Sequence, residues 1–315
     1  MEVKNCCMVT EFILLGIPHT EGLEMTLFVL FLPFYACTLL GNVSILVAVM
    51  SSARLHTPMY FFLGNLSCLD ICYSSVTLPK MLQNFLSAHK AISFLGCISQ
   101  LHFFHFLGST EAMLLAVMAF DRFVAICKPL RYTVIMNPQL CTQMAITIWV
   151  IGFFHALLHS VMTSRLNFCG SNRIHHFLCD IKPLLKLACG NTELNQWLLS
   201  TVTGTIAMGP FFLTLLSYFY IITYLFFKTR SCSMLCKALS TCASHFTCVV
   251  IGYSSCLFLY TKPKQTQAAK YNRIASLLVL VVTPFLNPFI FTLRNDKFIQ
   301  AFGDGMKHCY KLLKN

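Results

Sequence analysis

The stretch MAFDRFVAICKPLRY, Met118–Tyr132, begins as apolar helix and then sets an acid beside a base, Asp121 and Arg122. Two turns later it leaves through a basic, proline-broken exit, Lys128, Pro129 and Arg131. Charge at the end of a helix in lipid is costly unless it pairs, reaches water or does work. An adjacent Asp-Arg pair at such a mouth can hold the guanidinium in one state and release it to a partner in another, which is a two-state latch. A structural ion pair at the membrane boundary is the plain alternative, and for a bare Asp-Arg dipeptide it is the preferred one. The residues around the pair have to decide.

Composition places the chain in lipid. Of 315 residues, 57% are hydrophobic and 11% charged, against about 25% charge in a soluble domain. Mean hydropathy is +0.69. Several apolar runs reach the ~20 residues needed to cross a bilayer. A net charge of +12 does not point to nucleic acid, because the Lys and Arg residues lie in flanks and loops rather than on a basic face interleaved with aromatics. No cleavable signal peptide is visible, so the first span is expected to act as an uncleaved anchor. Most of the 17 cysteines lie within apolar runs, where Cys behaves as a small hydrophobe. Cys97, Cys169, Cys179 and Cys189 lie in or beside polar loops and are candidates for pairing; four cysteines allow three connectivities.

The expected architecture is all-α, a single seven-helix membrane domain over residues 1–315. Its spans fall at roughly 24–50, 58–81, 93–127, 140–162, 194–227, 237–260 and 271–293, each of crossing length. Residues 1–23 form a mixed segment with no recognisable fold, and 294–315 a basic amphipathic tail. Polar residues within the spans stand out: Asn42, Asp70, Glu111, the latch pair and Asn287. No half of the chain repeats the other, which argues against a two-half transporter. Nor is there an HExxH, a workable Ser-His arrangement or a phosphate-cradling glycine loop, so no enzyme is expected.

Taken in order, the motifs match a family. Gly41-Asn42 lies in the first span, LHTPMYFFLGNLSCLD spans Leu55–Asp70, and PKML spans Pro79–Leu82. Then come Met118–Tyr132, Ser217-Tyr218, KALSTCASHF at Lys237–Phe246 and PFLNPFIFTLRN at Pro284–Asn295. The chain resembles the olfactory receptors of the rhodopsin-like G-protein-coupled class, and the Ser240–His245 form resembles their tetrapod-type (class II) branch. It departs from the pattern at Phe120, Phe123 and Phe291, where tyrosines are usual, and at Gly252-Tyr253-Ser254. Asn5-Cys6-Cys7 lacks the Ser or Thr of the usual N-terminal glycosylation sequon, and the matches at Asn42 and Asn65 lie inside spans.

The resemblance implies a receptor for a small, mostly apolar volatile ligand, coupled to the stimulatory olfactory G protein and raised cAMP. It implies a plasma-membrane protein with its N-terminus outside. Position by position, it points to Phe104, His105, Gly108, Ser109, Thr203, Ile206, Tyr253, Cys256 and Tyr260 as ligand-binding residues, with helix packing as the plain alternative for each. It implies a switch built from Asp121, Arg122, Tyr218, His245, Asn287 and Pro288, in which Arg122 swings inward on activation and takes Tyr218 as its partner. It pairs Cys97 with Cys179 and Cys169 with Cys189, and such bonds belong on the oxidising side, which leaves Arg122 in the cytosol. Asp70 and Glu111, buried acids on neighbouring spans, are expected to share sodium, or in the plainer version a proton; no other cofactor is implied. A transporter using the same two acids is the competing class. His102, His105, His155 and His159 are numerous enough to bind copper or zinc, but polar contacts near the outer surface are the preferred reading. Cys309 in the tail is a candidate for palmitoylation, an unmodified thiol being the alternative.

Overall fold

Capping residues and prolines set where the helices start. The computed structural model describes residues 9–17, 22–169, 171–228, 243, 245–253, 268–292 and 298–303. Helix α1 is Glu24–Ser51, and α2, Pro58–Leu86, opens on a proline whose missing N–H has no helical partner to lose. Helix α3, Phe94–Cys127, is capped by Ser93, whose Oγ accepts from Gly96 N. After the single turn α4, Tyr132–Ile135, helix α5, Pro138–Ser164, is capped by Asn137, whose Oδ1 accepts from Leu140 N. Short α6, Ile181–Leu185, lies in the loop that follows. Helices α7, Glu193–Leu198, and α8, Gly204–Lys228, join through a π-helical turn, Leu199–Thr203. Helix α9 is residues 245–253. Helices α10, Ala268–Leu277, and α11, Thr283–Thr292, join through a second π turn, Leu278–Val282, and α12 is residues 298–303.

Among the described residues, six helical stretches are long and apolar enough to cross a membrane: Glu24–Ser51, Pro58–Leu86, Phe94–Cys127, Pro138–Ser164, Glu193–Lys228 and Arg273–Thr292. Of the sixth span expected at 237–260, only α9 and residue 243 lie within the described residues. Cys309 and most of the tail lie outside them. Helix α3 is the axis of the bundle, packing on α2, α5 and α8. Large apolar side chains such as Leu40, Phe226 and Phe227 point outward, as lipid-facing positions do.

Close packing inside lipid relies on small residues and interhelical hydrogen bonds. A Cβ on Gly41 would come 3.1 Å from the ring of Pro288, so glycine lets α11 approach closely at this point. Pro288 has no N–H and frees the carbonyl of Pro284 four residues earlier. Asn42 Nδ2 donates to that oxygen at 3.2 Å, which ties α1 to α11 and uses the amide predicted to need a partner. Trp149 Nε1 donates to Asn65 Oδ1 at 3.1 Å and ties α5 to α2.

The N-terminal segment corrects the expectation. It is not without structure: β1, Glu11–Leu14, pairs antiparallel with β2, Ala91–Ser93, and parallel with β3, Arg173–Ile174, in the order β2-β1-β3. Phe12 and Leu14 alternate inward and are fully buried beside Cys97, Leu101, Phe168, Ile174 and Cys179. Such side chains contribute about 1.5–3 kcal/mol each on full burial. The all-α bundle thus carries a small sheet at one end, and the same end carries both disulfides, Cys97–Cys179 and Cys169–Cys189. Gln100 fixes the loop further. Its Nε2 donates to Val76 O at 3.1 Å, and its Oε1 accepts from Cys179 N at 2.9 Å.

Candidate functional site

Toward the sheet end, a narrow cleft opens between the helices. Helix α3 supplies Phe104, His105, Gly108, Ser109 and Ala112, and span five supplies Thr203, Ile206 and Ala207. Tyr73 of α2, His155 of α5 and Val279 complete the wall. Thr203 and Val279 both sit in π turns. An added residue per turn shifts the register of everything beyond it, and such turns gather at functional sites. Gly108 gives the Tyr73 hydroxyl room: a Cβ would stand 3.0 Å from that oxygen, and the Tyr73 ring stacks on Phe104 at 5.5 Å.

Below lies a small adjoining space that shares Tyr73, Gly108, Ala112 and Val279 and adds Glu111, Leu115, Gly252 and Tyr253. Tyr253 donates its hydroxyl to Ala112 O at 2.5 Å, which fixes α9 against α3. The structure therefore brings Phe104, His105, Gly108, Ser109, Thr203 and Ile206 to one cleft and Tyr253 to the space beneath it. Cys256 and Tyr260 lie outside the described residues. Tyr73, Ala112, His155, Ala207 and Val279 were not foreseen as lining residues.

The four histidines do not converge on a point. His105 Nε2 faces Asp180 Oδ1 at 3.1 Å, and His102 Nδ1 faces Ser160 Oγ at 3.2 Å. Both His155 Nε2 and His159 Nε2 face Thr203 Oγ1 at 3.0 Å. Among the described residues no group of three or more His, Cys, Asp or Glu side chains is placed to hold a metal ion. The Asp180 carboxyl lies in the loop, outside the spans. Burial raises its pKa, but the hydrogen bond and charge of His105, with His176, outweigh that and hold it below the ordinary value. Burial pushes His176, also in the loop, down to about 4.

Deeper in the bundle, Asn287 Nδ2 donates to both Asp70 oxygens, at 3.1 and 3.0 Å, and Cys248 Sγ donates to Asn287 Oδ1 at 3.2 Å. Glu111 is buried nearby on α3. Two buried carboxyls cannot both stay charged without a counter-ion. Their oxygens are hard donors of the kind that suits a hard cation.

At the opposite end, Arg122 Nη2 stands 3.9 Å from Asp121 Oδ2. Tyr132 Oη donates to Asp121 Oδ1 at 2.8 Å, a third member of the latch that the sequence reading passed over although it closes the deciding stretch. Tyr218 does not meet Arg122 in this arrangement; its hydroxyl is paired with His245 Nδ1. Pro288 packs on Gly41 as described.

Comparison with known proteins agrees with this architecture. A family model described as olfactory receptor matches residues 31–304. The chain is 73% identical over 314 residues to human olfactory receptor 12D1, covering 99% of this chain and 98% of that one. It is 75% identical over 299 residues to human olfactory receptor 12D2, covering 95% and 97%. Human olfactory receptor 12D3 is 60% identical over 299 residues, covering 95% of each.

Proposed function

The chain belongs to the olfactory receptor family, a multi-pass membrane receptor and not an enzyme, and from that premise we propose that it binds a small volatile odorant in the cleft beneath the sheet and signals through the stimulatory olfactory G protein. The observation that carries this reading is the cleft itself. Its wall is mostly apolar, with a few convergent hydroxyls and imidazoles, as small-ligand sites are. The ligand binds the active arrangement more tightly than the resting one; a coupling of about 1–3 kcal/mol suffices. The Asp121–Arg122 contact then opens, Arg122 turns inward to Tyr218, and the G protein docks at that end to raise cAMP.

The disulfides and the sheet face outward, because cystines persist on the oxidising side. That orientation puts the N-terminus outside the plasma membrane and Arg122 in the cytosol. Asp70, Glu111 and Asn287 would hold a sodium ion in the resting state, and its charge would offset the paired carboxylates. Asp70 and Glu111 supply the charge, and Asn287 orients Asp70.

The test is cAMP in cells given a broad odorant panel, gated on surface-labelled receptor, with Arg122→Ala alongside. A ligand-dependent rise that the variant loses supports the reading. Ligand-dependent ion flux with no change in cAMP would overturn it.

A further inference from the structure

Hydrogen-bond accounting in the cleft leaves acceptors, not donors, facing the ligand. Thr203 Oγ1 lies 3.0 Å from His155 Nε2 and 3.0 Å from His159 Nε2. A hydroxyl carries one hydrogen, so it donates to at most one ring; accepting from both would protonate His155 on Nε2, as the second arrangement below does. The second nitrogen of His155, Nδ1, is buried with no partner, whereas His159 has no such atom. Both rings are nearly fully buried, at 5% and 2% exposure, which keeps them uncharged.

Two arrangements remain. If Thr203 donates to His155, the His155 proton sits on Nδ1 as a buried N–H with nothing to meet it. If His155 donates to Thr203 and Thr203 donates to His159, His155 Nδ1 carries only a lone pair, and the His159 proton sits on a nitrogen that is not stranded. The second arrangement replaces an unmet buried N–H with an unmet lone pair, and an orphaned N–H is the rarer of the two in folded proteins. The other polar side chains of the wall point the same way. Ser109 Oγ donates to His105 O at 2.8 Å, so its one hydrogen is used within its own helix and not offered to a ligand. His105 turns its Nε2 to Asp180.

We infer that His155, a residue lining the cleft whose buried Nδ1 is left without a partner, is the acceptor that selects the ligand's polar group: the site takes a small apolar molecule bearing a hydroxyl in preference to the ketone or ether of the same skeleton. The inference rests on the odorant-pocket reading above and narrows it to a chemical class. A hydroxyl meets the lone pair. A ketone or ether oxygen sets lone pair against lone pair and leaves Nδ1 unmet, and a site built for one partner rejects the analogue that lacks it.

The experiment uses matched alcohol, ketone and methyl ether series on several apolar skeletons, read as cAMP dose–response per surface receptor, for the native chain and His155→Phe. Potency is expected to favour the alcohol by roughly tenfold or more. The preference, read as the ratio of alcohol to ketone potency within each receptor, is expected to collapse in His155→Phe. Responses with no alcohol preference, or a preference that survives His155→Phe, overturn the inference. A second measurement stands apart from signalling: ¹⁵N NMR of histidine-labelled receptor in lipid nanodiscs, with His155 assigned by its loss in His155→Phe. Nδ1 is expected to be pyridine-type. A pyrrole-type Nδ1 overturns the inference even if no compound activates the receptor, whereas silence to every compound with a pyridine-type Nδ1 counts against the odorant reading instead.

Discussion

Tyr132 Oη donates to Asp121 Oδ1 at 2.8 Å, while Arg122 Nη2 stands 3.9 Å from Asp121 Oδ2. The nearer contact to the acid is therefore the tyrosine, from the turn after the span, and not the arginine beside it. Asp121 can keep its place only while that turn stays docked, so the loop and the latch share one equilibrium.

Tyr132→Phe removes a hydrogen bond of the kind that contributes about 1.5–3 kcal/mol when one partner is charged. Part of that difference holds the resting state. Ligand-free cAMP per surface receptor is expected to rise roughly threefold to tenfold, with little change in surface density. Unchanged basal signalling in the variant would show that the Tyr132 contact does not belong to the switch.

The pairing of Tyr218 with His245 gives two substitutions of opposite sign. His245→Phe removes the His245 partner of the Tyr218 hydroxyl, favours the Arg122 contact and is expected to raise basal and maximal cAMP. Tyr218→Phe removes the partner that Arg122 takes on activation and is expected to lower the maximum. The double variant should behave like Tyr218→Phe alone, since the hydroxyl is then absent. Equal effects of both single changes would mean that the pair only packs.

Which parts of this were legible in the sequence follows the range of the interactions. Spans show because apolar length is a local property. The polar residues Asn42, Asp70 and Asn287 show because an amide or acid in lipid must find a partner, and the structure brings Asp70 and Asn287 together and gives Asn42 the carbonyl freed by Pro288. Strand β1 was missed because four residues of alternation carry little signal until β2 and β3 arrive from 80 and 160 residues away. The π turns were missed because the extra residue shows only in backbone register. That register sets Thr203 between His155 and His159, so these two of the four histidines share a hydroxyl, a polar contact of the kind the sequence favours over metal for the group.

Gly152 marks where α5 crosses α3. A Cβ there would fall 2.2 Å from Thr110 Oγ1 and 3.1 Å from Phe106 O, and the backbone atom cannot rotate away. Gly152→Ala is expected to destabilise the receptor by about 1–3 kcal/mol. Surface density and the thermal midpoint in detergent should both fall, and adding Thr110→Ala should restore only part, because Phe106 O remains. A full-density Gly152→Ala receptor with an unchanged midpoint would mean the helices part easily here.

For the buried acids, the expected outcome is a sodium-dependent melting point. Native receptor should melt higher in sodium chloride than in choline chloride at equal ionic strength. Asp70→Asn removes one of the two carboxylates, keeps the hydrogen-bonding shape beside Asn287 and should abolish the difference. Retention of the sodium effect in Asp70→Asn would place the ion elsewhere.

The loop under the sheet should loosen in acid, and His176 sets the window. Burial lowers its pKa from 6.5 to about 4, with Asp180 acting to raise it and Arg273 to lower it. Its Nδ1 accepts from Leu178 N at 3.2 Å, so adding a proton there turns an acceptor into a donor and breaks the bond. A depressed folded value means stability that is complete above about pH 6.5 and lost as pH falls toward 4. At pH 5 the loss is on the order of 2 kcal/mol. Asp180 carries the same sign but acts lower, because its folded value lies below 3.8. Amide exchange over residues 176–180 should therefore speed up between pH 6.5 and 5 after correction for intrinsic rates. In His176→Phe that dependence should flatten, even if the protection at pH 7.5 is smaller than in the native chain. An acid response of the same slope in the variant would move the titrating group from His176 to another side chain of the loop.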